Sequence, residues 1–70
     1  MNECVIGETE WQVGQVVVWL DSLGRKSHRT ITGFSVNKRN GQVQAVLDNH
    51  HCFGAEDVEK GFVQDANNGR

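Results

Sequence analysis

The stretch Thr30-Ile31-Thr32-Gly33-Phe34-Ser35-Val36-Asn37-Lys38-Arg39-Asn40-Gly41-Gln42-Val43-Gln44-Ala45-Val46-Leu47 decides how this chain folds. Residues 30–36 are β-branched and aromatic, the composition of a strand. Val43, Ala45 and Leu47 alternate with Gln42, Gln44 and Asp48, the period-two pattern of a strand with one buried face. Between them, Asn40-Gly41 is a hairpin signal, because both central positions of a type I′ turn need positive φ. Gly33, inside the first run, predicts a bulge or a close backbone approach that helps a small sheet to curl.

Upstream, Val16-Val17-Val18-Trp19-Leu20 reads as the first strand, ending at Asp21-Ser22-Leu23-Gly24. Residues 21–28 are turn-forming or solvent-seeking and predict an exposed, mobile loop. Downstream, Asp48-Asn49-His50-His51 turns the chain and Cys52-Phe53 makes a short fourth strand. A helical turn is expected at Ala55-Glu56-Asp57, followed by a closing strand over residues 58–63. Eight glycines and no proline punctuate these runs, as tight turns between strands require. Residues 1–10 show no pattern and are expected to be an N-terminal extension, and residues 64–70 a frayed, flexible tail. The expected architecture is all-β, a small five-stranded barrel with a short helical turn before the last strand.

That order of elements resembles the Src-homology-3-like (SH3-like) small β-barrels. Val13-Gly14-Gln15-Val16-Val17 resembles the glycine-polar-x-valine start of many such domains, and Thr30-Ile31-Thr32-Gly33-Phe34 resembles their second strand. Residues 41–49 and Ala55-Glu56-Asp57-Val58-Glu59 resemble the third strand and the acid-rich lead into the last, so the resemblance covers residues 11–63. Within the superfamily the layout resembles the plasmid-borne type II dihydrofolate reductases, whose barrels assemble as tetramers around a central pore. Those enzymes carry a valine-glutamine-isoleucine-tyrosine run after the third strand. Here the corresponding residues are His51-Cys52-Phe53-Gly54 and the chain has no tyrosine, so the resemblance reaches fold and assembly but not activity. Many barrels of this kind are accessory proteins of phages, prophages and plasmids, and the resemblance implies that setting.

Seventy residues imply one core, and a core that small has little stability to spare. With two cysteines only, Cys4 and Cys52, a disulfide scaffold is not expected. Residues 1–10 carry acids and no basic stretch, so no secretory signal is expected, and no apolar run approaches the length of about 18 residues that a membrane span needs. These features together predict a cytoplasmic protein with free thiols that makes no membrane contact.

The net charge of −2 hides an uneven distribution. Arg25, Lys26, Arg29, Lys38 and Arg39 form a basic island without an acid over residues 25–42, between two acidic flanks. Phosphate binding needs several such charges close together, and these residues are the candidates for contact with nucleic acid or an acidic partner. The first strand is apolar on both faces. Val17 and Trp19 take one, while Val16, Val18 and Leu20 occupy the other and require cover, from Val5, Ile6 and Trp11 or from a second protomer in a homodimer or higher oligomer.

Chemistry is less well supported. His50, His51 and Cys52 are adjacent, so on a strand they point to opposite faces, and no Cys-x-x-Cys spacing accompanies them. They are expected to be turn histidines beside a half-buried thiol, holding no metal. A cysteine nucleophile would need a depressed pKa and a cleft, and Glu56, Asp57 and Glu59 read as solvated acids near a short helical turn. The expectation is a non-enzymatic module without a cofactor that docks on a protein or nucleoprotein target. Direct nucleic-acid binding is the alternative, and an oligomeric reductase a distant third.

Overall fold

The computed structural model describes residues 2–66 of the chain. Its elements are β1 (Glu3–Ile6), β2 (Thr9–Gln12), β3 (Val16–Leu20), β4 (Lys26–Val36), β5 (Val43–Leu47), β6 (Cys52–Phe53), α1 (Ala55–Glu59) and β7 (Val63–Asp65). β1 and β2 pair as a separate hairpin, while the other five strands form one antiparallel sheet in the order β6-β5-β4-β3-β7. The sheet curls into a half-barrel, with one short helix before the last strand.

β4 makes the curl possible. Its first half, residues 26–30, pairs with β3, and its second half, residues 31–36, pairs with β5. Between the halves the register shifts, so that Ile31 faces Leu47 and Gly33 faces Val46, leaving Thr32 as the extra residue. The Thr32 hydroxyl donates to the Val46 carbonyl at 3.2 Å and occupies an acceptor beside the bulge. The bulge predicted at Gly33 is therefore present, but the close approach is not, since no atom lies within 4 Å of where a Cβ would stand.

The core collects one face of every strand: Ile6, Trp11, Val17, Ile31, Ala45, Leu47, Phe53 and Val63. Trp11 meets Phe53 edge to face at 5.1 Å between ring centroids, an arrangement that suits the ring quadrupoles. β1 and β2 thus close the open side of the half-barrel. The N-terminal stretch that shows no pattern in the sequence is part of the core. Its hairpin turns at Gly7 and Glu8, with φ of 60° and 67°, the positive pair that a type I′ turn demands.

Further expectations are corrected. The turn after β4 is not a two-residue type I′ turn at Asn40-Gly41, because of the two only Gly41 has positive φ. It is a four-residue loop over residues 38–41, closed by Asn37 N–H to Gln42 O at 2.8 Å and Gly41 N–H to Asn37 O at 2.7 Å. The Asn37 and Asn40 side chains accept from Arg39 N–H and Gln42 N–H, favouring the wider loop. The loop expected over 21–28 shrinks to residues 21–25, because Asp21 Oδ1 accepts from both Leu23 N–H and Arg25 N–H at 2.9 Å. The helical turn extends to Glu59, and the closing strand moves from 58–63 to Val63–Asp65. Gly61, at φ 80°, breaks the chain direction between them. Of the expected tail, Gln64 and Asp65 belong to β7, and residues 67–70 lie outside the described residues. Finally, Cys52 is exposed on β6 rather than half-buried. Among the described residues no helix is long and apolar enough to cross a membrane.

Candidate functional site

The basic island is dispersed by the fold. Arg25 and Lys26 stand at the start of β4 and Lys38 and Arg39 just beyond its end, so nearly the whole of that eleven-residue strand separates the two pairs. Arg25 Nε donates to Asp21 Oδ2 at 3.1 Å and is locally neutralised. The Arg25 N–H, first of all, holds the Asp21 carboxyl below its ordinary pKa, aided by Leu23 N–H and the Arg25 guanidinium and opposed by partial desolvation. Arg29 is opposite Val17 on the inner side of the sheet, 3.9 Å from Asp48 Oδ1, with its Nε buried and unpartnered. Only Arg25 and Lys26 are neighbours of one another at one end of β4, and Lys38 and Arg39 at the other.

The apolar face of the first strand is where alternation puts it. Val16, Val18 and Leu20 pair with Thr30, His28 and Lys26 of β4, and all six point away from the core that holds Val17. On the opposite flank Val18 pairs with Gln64, Leu20 N–H donates to Phe62 O, and Ala66 N–H donates to Val16 O. Three rows result: Lys26-Leu20-Phe62, His28-Val18-Gln64 and Thr30-Val16-Ala66. Val5, Ile6 and Trp11 do not cover them, because Ile6 and Trp11 are buried on the other side of the sheet and Val5 is 64% exposed.

At the end of this face lies a notch of about 370 Å³ lined by Trp19, Leu20, Asp21, Ser22, His51 and Phe62. Trp19 and His51 meet edge to face at 5.9 Å, joining the end of β3 to the turn before β6. That turn is tight: His51 O accepts from Leu47 N–H, Asn49 Oδ1 accepts from His51 N–H, and His50 takes φ 69°. Phe62 stays 41% exposed at the rim. Sequence reasoning missed the notch, since its aromatic walls come from positions 19, 51 and 62, and no local pattern links them. The one available signal was a tryptophan one residue from the end of a strand, where a core has little depth.

His50, His51 and Cys52 do not converge with another ligand: among the described residues no three of His, Cys, Asp and Glu form a group able to hold a metal. Glu56 of α1 and Lys60, at its C-terminal cap, pair at 2.9 Å, each stabilising the charged form of the other, and neither lines the notch. Comparison of the chain with protein-family models, with curated proteins and with solved structures finds no match.

Proposed function

We propose that this chain is a non-enzymatic docking module, an accessory protein of the SH3-like small-barrel superfamily that recognises a protein or nucleoprotein target. The strand order β6-β5-β4-β3-β7, the sharply bent β4 and the short helix before β7 support the resemblance. That resemblance is the support for a phage, prophage or plasmid setting, and the unpaired Cys4 and Cys52 suit a reducing cytoplasm.

One observation carries the reading: Trp19, His51 and Phe62 hold an open, mostly apolar notch at the rim of the sheet, with aromatic surface in reach of a partner. Exposed aromatic side chains beside a concavity are the usual anchors of protein recognition, because they bring large contact area at low entropic cost. Direct nucleic-acid binding draws less support, because the five cations fall into two pairs and one inward-facing arginine.

The test is capture from host lysate by immobilised protein, with and without nuclease, comparing the wild type with Phe62→Ser and Trp19→Ala. A partner retained after nuclease and lost from both variants supports the notch. Capture abolished by nuclease moves the function to nucleic acid, and equal capture by all three proteins overturns the proposal.

A further inference from the structure

The β4–β5 hairpin leaves one backbone edge unused. Val36 stands opposite Val43 and Asn37 N–H donates to Gln42 O at 2.8 Å, so β4 bonds to β5 through Gly33, Ser35 and Asn37. The N–H and C=O groups of Phe34 and Val36 therefore point to the opposite edge. β3 occupies that edge only as far as Thr30, and Gly14 and Gln15 extend the cover to Ile31. Among the described residues, none bonds to the four backbone groups of Phe34 and Val36.

Other edges of the sheet are blunted. β6 has two residues and β7 ends on Asp65, whereas residues 34–36 carry neither a charge nor a proline. Phe34 and Val36 share a face with Val43 and the buried Ala45, and Val36 is 59% exposed. Phe34, Ser35, Val36 and Val43 line a shallow, mostly apolar cleft of about 70 Å³ beside the open edge. The loop beyond supplies charge: Lys38 and Arg39 are exposed, and no acid occurs between residues 22 and 47.

A strand added antiparallel here pairs two of its residues with Val36 and Phe34 and lays their side chains beside the cleft, while the residues before them reach the loop. We infer that the open edge of β4 receives an extended segment of a protein partner that reads acid-x-apolar-x-apolar from its N-terminal end. Main-chain hydrogen bonds supply affinity, the cleft selects small apolar side chains, and Lys38 and Arg39 select the acid. A second copy fits less well. β4 paired antiparallel with itself about Ser35 sets Lys38 opposite Thr32, and that strand has no acid to offer. The edge shares no residue with the notch, so the inference goes beyond the reading given above.

The test is a nuclear magnetic resonance titration of the labelled protein with a peptide of about eight residues containing Asp-Thr-Val-Thr-Val. Its controls are a twin N-methylated at both valines, which cannot donate to β4, and a twin with Lys in place of Asp. In the free protein the Phe34 and Val36 amides are expected to exchange faster than those of Gly33 and Ser35. The parent peptide should slow them at least about tenfold, and both twins should leave them unchanged. The double change Lys38→Glu and Arg39→Glu is expected to weaken the parent peptide about tenfold. Phe62→Ser, in the notch, should bind it as the wild type does. Binding of the N-methylated twin, unchanged affinity of the charge-reversed protein, or protected Phe34 and Val36 amides in the free chain overturns the inference. So does a micromolar dimer that slows the same two amides. Shifts confined to Trp19, His51 and Phe62 overturn it too, while leaving the notch as the docking site.

Discussion

The indole N–H of Trp11 donates to the carbonyl oxygen of Ile6 at 3.0 Å, across the turn that joins β1 to β2. Both residues are buried, so the bond satisfies a polar pair that water cannot reach, and it ties the hairpin to the core it covers.

Trp11→Phe keeps a ring in the core but removes the indole donor to the Ile6 carbonyl and some of the buried ring. The expected loss is about 1–3 kcal/mol, read as a lower urea midpoint at unchanged m-value. A wild-type midpoint would show that the hairpin does not contribute to the cooperative core.

Gly7 and Gly33 are expected to respond oppositely to alanine. A Cβ on Gly7 would stand 2.9 Å from Val58 Cβ, at φ 60°, so the turn and α1 would have to separate. Gly7→Ala should cost about 1–3 kcal/mol. Gly33 has open space and no positive φ, and Gly33→Ala should change stability by less than about 0.5 kcal/mol. Equal effects of the two substitutions in thermal or chemical unfolding would contradict this account.

Asp21 makes the β3–β4 turn sensitive to acid. Its folded pKa lies below the ordinary value of 3.8, so its stabilising effect is complete above that value and disappears as pH falls through the lowered one. A carbon-13 titration should place the carboxyl midpoint below 3.8, and Asp21→Asn should flatten the acid limb of the stability curve. A midpoint at or above the ordinary value would refute the assigned hydrogen bonds.

Arg29 gains little from its position. Its Nε is buried without a partner, and its guanidinium is 3.9 Å from a half-exposed Asp48. Arg29→Met keeps the packing stem and removes the orphaned donor, so it should be neutral or stabilising by up to about 1 kcal/mol. A strongly destabilised variant would mean that the pair with Asp48 is worth more than its separation implies.

Period-two alternation made β5 legible, and the β-branched run of residues 16–20 made β3 legible, because burial on one face or both leaves its mark within five residues. The bulge in β4 was equally readable, since a glycine inside a strand has few other uses. The N-terminal hairpin was not. Its core contribution is Cys4, Ile6 and Trp11 spread over two four-residue strands, and its turn places Glu8 in a conformation that glycine or asparagine would have announced. The loop types escaped for a related reason: the Asp21, Asn37 and Asn40 side chains accept backbone N–H groups, and which N–H they reach depends on the strands they connect.

By itself the sequence determined that this is a small all-β chain whose first strand is apolar on both faces, because alternation and β-branching are local properties. The tertiary structure alone decided what those faces meet. Curling about Thr32 and Gly33 turned Val17 towards Trp11 and Phe53 and left Val16, Val18 and Leu20 outside, brought His51 against Trp19, and kept Lys38 and Arg39 at the far end of β4 from Arg25 and Lys26. Each of these is a relation between residues distant along the chain, set by register and curvature, which no short window of sequence contains.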